Sequence, residues 1–202
     1  MSAEYIKNYG MILAAEESFA RRVALGLWVK RPLTTWHYLI PGMFFFDLLR
    51  RNQAVSRYSA VFLLPRKAAL DAALDIMRGE PRESRFSRAE EEIRKWLQSL
   101  DLFTEGLLRG HREQISVLVE HYSVLLREEG DAYPSLLRRC YRTRQDYQAY
   151  LRRLEAAEQE VDRAVADQHG HTPEIWGRLR AEKAQVEELR RKEIEQVYPE
   201  DR

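Results

Sequence analysis

Apolar side chains recur every three or four residues along most of this 202-residue chain. The most regular stripe lies in the middle of the sequence, where successive members are alternately three and four residues apart. Its members are Leu108, His111, Ile115, Leu118, Tyr122 and Leu125. This spacing places the six side chains on one face of an α-helix. Because no stretch of useful length alternates apolar and polar residues as a strand does, the sequence predicts an all-α helical bundle.

Proline and glycine divide the first part of this pattern into helices. We expect a helix over 2–30 and a second over 43–64 that ends at Pro65, since proline disfavours a continuing helix. A shorter helix over 66–78 follows. The region therefore contains a broken apolar helical segment over 32–64.

The second part of the chain shows clearer start signals. Ser87-Arg88-Ala89-Glu90 is a capping-box pattern that opens a helix, and the helix after it ends at Gly130. One long helix is then expected over 134–168, and a last one begins at Thr172-Pro173. Two long helices joined by a short turn predict a C-terminal antiparallel hairpin.

The charges are balanced overall but unevenly distributed. The 33 Lys+Arg and 32 Asp+Glu residues leave a formal net charge of +1, which gives no global attraction to nucleic acid or another acidic polymer. Residues 1–70 nevertheless carry 10 basic and 4 acidic side chains, whereas residues 71–202 carry 23 and 28. We divide the chain into a basic, apolar region over 1–79, a helical core over 84–130 and a hairpin over 131–202.

The residues at 32–46, PLTTWHYLIPGMFFF, carry no formal charge when His37 is neutral. A helix needs ~20 apolar residues to cross a bilayer, so this segment is too short for a simple span. A shallow or re-entrant wedge over 32–49, bent at Pro41-Gly42, fits the pattern better. The predicted membrane-contact residues are Trp36, Tyr38, Leu39, Ile40, Pro41, Met43, Phe44, Phe45 and Phe46.

Basic residues flank this wedge on both sides. The predicted contacts for lipid headgroups are Lys30, Arg31, Arg50, Arg51 and Arg57. Anionic lipid attracts such residues by roughly 1 kcal/mol each near the membrane surface. Because the first residues show no secretory signal, we expect a cytoplasmic protein attached to the inner face of the cell membrane.

The apolar run has two other interpretations. In the first, residues 32–64 are the buried core of a soluble helical adaptor, with Phe44–Phe46 packed against the helix over 101–129. In the second, the run is a short true membrane span. Length and apolar composition alone do not separate these alternatives from the wedge.

Part of this region resembles a known group of sequences. The shared positions are Trp36, Leu39-Ile40-Pro41, the phenylalanine run, Leu49-Arg50, Phe62-Leu63, Arg66-Lys67 and Ala69-Leu70. They fall between residues 30 and 75 and resemble an uncharacterised bacterial family of similar length. The resemblance implies a bacterial, cytoplasmic setting, and it implies no activity, cofactor or catalytic residue.

The sequence contains no recognisable catalytic, cofactor-binding or metal-binding motif. His111 and His121 lie about 80° and roughly 15 Å apart on one helix, too far to share a metal ion. A single cysteine, Cys140, excludes an internal disulfide and a multi-cysteine metal site. We therefore predict a non-enzymatic scaffold or interaction protein with no cofactor and no metal.

Two polar residues on apolar helix faces receive structural interpretations. Glu16 is predicted to pair with an arginine of a neighbouring helix, and His111 is predicted to be a hydrogen-bonded core histidine. An enzyme of unrecognised type is the third alternative for function. It requires Glu16, His37 and His111 to converge on one pocket.

Residues 134–153 are rich in arginine and tyrosine. The residues concerned are Arg138, Arg139, Tyr141, Arg142, Arg144, Tyr147, Tyr150, Arg152 and Arg153. This chemistry suits single-stranded RNA or lipid headgroups. Pairing of the arginines with the acidic last helix is the simpler interpretation, so nucleic acid is not a predicted partner.

The hairpin over 134–197 is a predicted platform for a protein partner or a second copy of the chain. Its apolar stripes are interrupted by Arg144, Glu158 and Glu182. Polar residues at these positions argue for limited packing and against a long, uniform coiled coil.

Overall fold

The computed structural model describes residues 2–29, 43–168 and 171–199, with side chains for 4–27, 52–168 and 171–199. Within these ranges the chain is helical almost throughout and forms no strand, which confirms the predicted all-α bundle. The described helices are α1 (Ser2–Val29), α2 (Met43–Met77), α3 (Arg82–Ser99), α4 (Glu105–Arg127), α5 (Tyr133–Cys140), α6 (Arg144–Gln168) and α7 (Pro173–Val197).

The core of the bundle is built around α4. All six members of the stripe predicted from sequence are buried, and Tyr122 is completely inaccessible to solvent. α4 packs against α2 on one side and α6 on the other, while α7 packs mainly against α1. The Asn8 side chain of α1 donates hydrogen bonds to the carbonyl oxygens of Leu126 (3.1 Å) and Glu128 (2.6 Å), which satisfies carbonyl groups at the end of α4.

α1 and α2 are antiparallel, and their contacts define a register. Tyr9 donates a hydrogen bond to Asp71 at 2.5 Å, and Glu16 pairs with Arg66 at 2.9 Å. In these contacts a later residue of α1 meets an earlier residue of α2. Continuing this register to the end of α1 at Val29 places that end level with about residue 52 of α2.

The neighbouring helices end at similar levels. α4 runs parallel to α2, and its Arg127 contacts Met77 at 3.3 Å, so α4 begins level with about residue 55 of α2. α6 runs antiparallel to α2, and its Glu158 pairs with Arg66. The end of α6, ten residues further along, is therefore level with about residue 56 of α2. The first two turns of α2, residues 43–51, therefore extend past the ends of these three helices, by about 13 Å in the case of α1.

α2 is continuous through Pro65, and the predicted division into helices over 43–64 and 66–78 is wrong. Proline removes one backbone hydrogen bond of the helix. Pro65 is buried, however, and the next residue, Arg66, is held by ion pairs to both α1 and α6. Packing on two sides offsets the lost hydrogen bond, as tertiary context commonly overrides helix propensity.

The predicted single helix over 134–168 is wrong as well, because it is divided into α5 and α6. Thr143 caps α6: its hydroxyl oxygen accepts a hydrogen bond from the backbone N–H of Asp146 (3.1 Å) and donates to the Asp146 carboxylate (2.7 Å). The Tyr198 hydroxyl donates to the carbonyl oxygen of Tyr141 at 2.5 Å and lies 3.3 Å from that of Leu137, and this contact closes the end of α5. A cap and a tertiary contact thus stop one helix and start the next.

α3 begins five residues before the predicted capping box at Ser87. The extra turn follows Pro81, whose extended backbone (φ −60°, ψ 129°) suits the residue before a helix. Arg85 then binds Asp75 at 3.1 Å and Glu80 at 3.0 Å. These pairs tie the early turn to the end of α2.

Candidate functional site

A chain of charged side chains crosses the interior of the bundle. Arg66 is only 4% exposed and donates to Glu16 (2.9 Å) and to Glu158 (2.9 Å). Arg190 donates two hydrogen bonds of 2.8 Å to the same Glu158 carboxylate. The Tyr122 hydroxyl donates to Glu16 at 2.7 Å. We call these five residues the buried network; it confirms that Glu16 pairs with an arginine of a neighbouring helix.

Each member of the buried network comes from a different helix: α1, α2, α4, α6 and α7. Its two carboxylates and two guanidinium groups balance, so the interior carries no uncompensated charge from them. Burial alone would raise the pKa of Glu158, but Arg190 and Arg66 hold it below its usual range. The ring centroid of Phe62 lies 4.8 Å from the Arg66 guanidinium carbon, which adds a cation–π contact.

A cavity of about 320 Å³ lies beside the network, between α2, α3, α4, α6 and α7. We call it the main cavity. Its lining combines apolar side chains, among them Trp96, Leu107 and Val161, with acidic side chains of α6 and α7. Its size falls within the range of small-molecule binding sites in proteins. The lining of the main cavity is thus both apolar and acidic.

Two carboxylates of the main cavity, Asp162 and Glu182, have no cation within salt-bridge distance among the described side chains. Burial and the neighbouring charges of Glu182 and Glu158 raise the pKa of Asp162 to about 7. Burial also raises the pKa of Glu182, against the opposing effect of the Tyr58 hydroxyl. The negative charge of one acid therefore opposes ionisation of the other.

The pKa of Asp162 predicts a pH-dependent stability difference. A carboxyl whose pKa is higher in the folded state favours folding below its ordinary pKa near 4, and this contribution is lost as pH rises through about 7. Asp162→Asn should therefore gain stability relative to the wild type as pH rises from 5 to 8. Urea unfolding of both proteins at several pH values measures this difference.

Glu160→Gln on the same helix is the control, because Glu160 is exposed and pairs with Arg163 at the surface. Its stability relative to the wild type should change little over that pH range. Comparing each variant with the wild type removes the opposing contributions of His111 and His121, whose pKa values burial lowers. The raised pKa of Asp162 would be contradicted if the free energies of unfolding of Asp162→Asn and the wild type changed with pH in the same way.

His111 is a hydrogen-bonded core histidine, as predicted. It is 6% exposed, its Nδ1 lies 3.1 Å from Gln114 Oε1, and its ring makes an edge contact with Trp96. His111 borders the main cavity, whereas Glu16 borders a separate cavity of about 130 Å³. The structure therefore does not bring Glu16 and His111 together, and His37, the third member of the enzyme alternative, lies outside the described residues.

The smaller cavity contains a further acid, Glu193 of α7. Burial and the negative charge of Glu16 raise its pKa to about 7, against the opposing effects of Arg190, Arg22 and Tyr147. Among the described residues, no group of three or more His, Cys, Asp or Glu side chains is arranged to hold a metal ion. The half-buried Cys140 is also a poor nucleophile, because burial raises the pKa of its thiol to about 12.

The predicted wedge lies mostly where side chains are not described. Trp36, Tyr38, Leu39, Ile40, Pro41, Lys30 and Arg31 lie outside the described residues. Met43, Phe44, Phe45, Phe46, Arg50 and Arg51 belong to the first two turns of α2. Arg57 is exposed on the same helix. No helix in the described ranges is long and apolar enough to cross a bilayer.

The arginine and tyrosine residues of 134–153 do not form one surface. The rings of Tyr141, Tyr147 and Tyr150 contact one another, and Tyr141 and Tyr150 also stack on His121, whose ring centroid lies 4.0 Å from that of Tyr150. The faces of these rings therefore contact other aromatic residues of the protein. The predicted pairing of the arginines with the last helix is wrong for Arg153, which binds Glu120 of α4 at 2.7 Å.

Sequence reasoning missed Arg66, Arg190 and Asp162 as members of a site. Arg66 had the clearest signal, because it is a lone charge on the apolar face that continues through Ala69 and Leu70. A charge at such a position is rarely buried without a partner. Glu158 and Glu182 were recognised only as interruptions of the apolar stripes.

Comparison of the chain with protein-family models, curated protein sequences and solved structures gives no match.

Proposed function

We propose that this protein is a non-enzymatic helical scaffold that attaches peripherally to the cytoplasmic face of a bacterial membrane through residues 32–49. The observation that carries the proposal is the register of α2. Its first two turns, which contain Met43 and Phe44–Phe46, extend past the ends of α1, α4 and α6. An apolar segment at the end of a bundle is a natural contact for lipid.

Charge supports the same surface. Five basic residues flank the apolar segment in sequence, and the one whose side chain is described, Arg57, is exposed. Apolar insertion and a basic patch together provide the two signals that stable peripheral attachment needs. Each basic residue contributes roughly 1 kcal/mol on an anionic surface.

The rest of the bundle suits a scaffold. The buried network links five helices by charge-assisted hydrogen bonds, and the outer face of α7 carries ion pairs such as Arg191 with Glu188 (2.9 Å) and Glu195 (2.7 Å). A charged outer face over 134–197 offers a polar contact for a protein partner or a second copy. This part of the proposal depends on surface chemistry alone.

A soluble adaptor with a buried core over 32–64 is the second candidate, and one observation favours it. Val55 is buried, and Phe62 packs against Phe19 of α1 at 6.1 Å between ring centroids. Within residues 52–64, Val55, Tyr58, Phe62 and Leu64 thus contact the core, while the other side of the helix is exposed. The two candidates differ over residues 32–51, because α4 begins only at about the level of residue 55 and does not run beside Phe44–Phe46.

Vesicle flotation of the full chain tests the proposal. We expect the protein to float with vesicles of phosphatidylcholine and phosphatidylglycerol, and the variant Phe44→Ser/Phe45→Ser/Phe46→Ser to stay in the soluble fraction. Replacing Arg50, Arg51 and Arg57 with glutamine should weaken binding by about 100-fold, the effect of three charges. Circular dichroism confirms that each variant is folded.

The matched control is Ile6→Ser/Val124→Ser, which removes two exposed apolar side chains from other helices. It should float like the wild type. A triple phenylalanine variant that still floats would contradict the wedge, and release of the wild type by high salt would leave the basic flanks as the sole attachment. A wild-type protein that stays soluble with every vesicle composition would favour the adaptor.

A further inference from the structure

We propose that the main cavity binds a small organic cation: a protonated amine with an apolar body. The inference goes beyond the proposed membrane attachment and depends on a different part of the molecule. It rests on the volume of the cavity, on its apolar side chains and on two carboxylates in its lining, Asp162 and Glu182, that have no cation within salt-bridge distance among the described residues.

The apolar part of the lining provides space for a hydrophobic group. Trp96 and Leu97 of α3, Leu107 of α4, and Val161 and Val165 of α6 border a volume of about 320 Å³. The cavity is a cleft with exposed residues such as Val61 and Leu100 in its lining, so it is accessible to solvent and to a ligand. Apolar walls hold water poorly, and they favour an occupant with an apolar body.

The charged side chains of the lining select the sign of the ligand. Five carboxylates border the cavity, against one lysine and one arginine. Lys183 binds Glu155 at 2.9 Å and reaches Glu187 at 3.7 Å, and Arg190 is committed to Glu158. The two remaining acids are Asp162 and Glu182, which have no cation of their own among the described residues.

An ammonium group placed between Asp162 and Glu182 would supply the missing positive charge. Such a group also relieves the repulsion between the two acids, which is strong because both are largely shielded from water. An anionic amphiphile such as a fatty acid would instead add a third negative charge. The charge of the lining therefore favours an amine over a carboxylate of the same shape.

Isothermal titration calorimetry of the full chain at neutral pH tests this inference. The three probes are phenethylamine, phenethyl alcohol and phenylacetate, which share an apolar body and differ in charge. We expect phenethylamine to bind, the alcohol to bind at least about tenfold more weakly, and phenylacetate to give no binding heat. Equal binding of the amine and the alcohol would overturn the assignment, as would the absence of amine binding.

Variants locate the site. Asp162→Asn and Glu182→Gln should each weaken phenethylamine binding by about tenfold or more, since each removes one counter-charge. Glu160→Gln, on the exposed side of α6, should bind like the wild type. Unchanged binding in both cavity variants would overturn the proposal. Loss of binding in Glu160→Gln would do so too, because it would locate the cation at the surface.

Proton release separates a binding role from a structural one. An ammonium ion beside Asp162 lowers the pKa of that carboxyl, so binding at pH 7 should release protons and the heat should depend on the ionisation enthalpy of the buffer. The groups that face Asp162 are Glu158 of α6 and Glu182 and Lys183 of α7, with Tyr58 of α2 next to Glu182. The buffer dependence should be lost in Asp162→Asn, and persistence there would contradict the proposed position.

Discussion

Replacing Arg66 with methionine should lower the free energy of unfolding by about 3–5 kcal/mol, the usual cost of removing one partner from a buried ion pair. The substitution leaves Glu16 with only the Tyr122 hydroxyl and Glu158 with only Arg190. A net negative charge then remains in an interior that excludes water. Urea unfolding followed by circular dichroism measures the loss.

The adjacent residue provides a matched control. Lys67 is half-exposed and forms a surface pair with Asp71 at 2.7 Å, so Lys67→Met should cost less than about 1 kcal/mol. The double variant Glu16→Gln/Arg66→Met restores the charge balance and should recover part of the lost stability. An Arg66→Met protein no less stable than Lys67→Met would show that the buried network contributes little to folding.

Replacing Gly110 with valine should destabilise the fold by about 1–3 kcal/mol, the usual cost of overpacking. Gly110 of α4 lies close to the backbone of α6 at Val161. A Cβ atom at this position would lie 3.1 Å from the backbone nitrogen of Val161 and 3.2 Å from its Cα. Backbone atoms cannot rotate away as a side chain can, so a branched residue forces the two helices apart.

Gly106 is the control on the same face, one helical turn earlier. It is exposed, and a Cβ atom there would meet only the Cβ of Ala164 at an ordinary distance of 3.9 Å. Gly106→Ala should therefore raise the stability by up to about 1 kcal/mol, because alanine favours the helix. Thermal unfolding of both variants tests the pair, and an equal effect at the two positions would argue against a close approach at Gly110.

The buried network and the main cavity share Glu158 and Arg190, so the two sites are physically coupled. Loss of Arg66 leaves Arg190 as the only guanidinium bound to Glu158. Amine binding in Arg66→Met is for this reason a poor test of the cavity. Asp162 and Glu182 are better positions, because neither belongs to the network and the expected effect of Asp162→Asn on stability at neutral pH is favourable.

Local signals in the sequence were accurate where they depend on neighbouring residues alone. The stripe on α4 is buried as predicted, and Thr172 caps α7 by accepting a hydrogen bond from the Ile175 N–H. The pattern Thr143-Arg144-Gln145-Asp146 carried a start signal of the same kind and was overlooked. The predicted helix end at Pro65 is wrong for the opposite reason. Proline does weaken a helix locally, but packing on both sides of α2 keeps the helix continuous.

The sequence by itself determined that the chain is helical, where most helices begin and end, and which face of α4 is buried. These properties follow from the spacing of apolar residues and from caps, which act within one or two turns. Only the tertiary structure decided which charges meet, because Glu16, Arg66, Glu158 and Arg190 lie far apart in sequence and on four helices. The main cavity likewise arises only where several helices converge, because its lining comes from α2, α3, α4, α6 and α7.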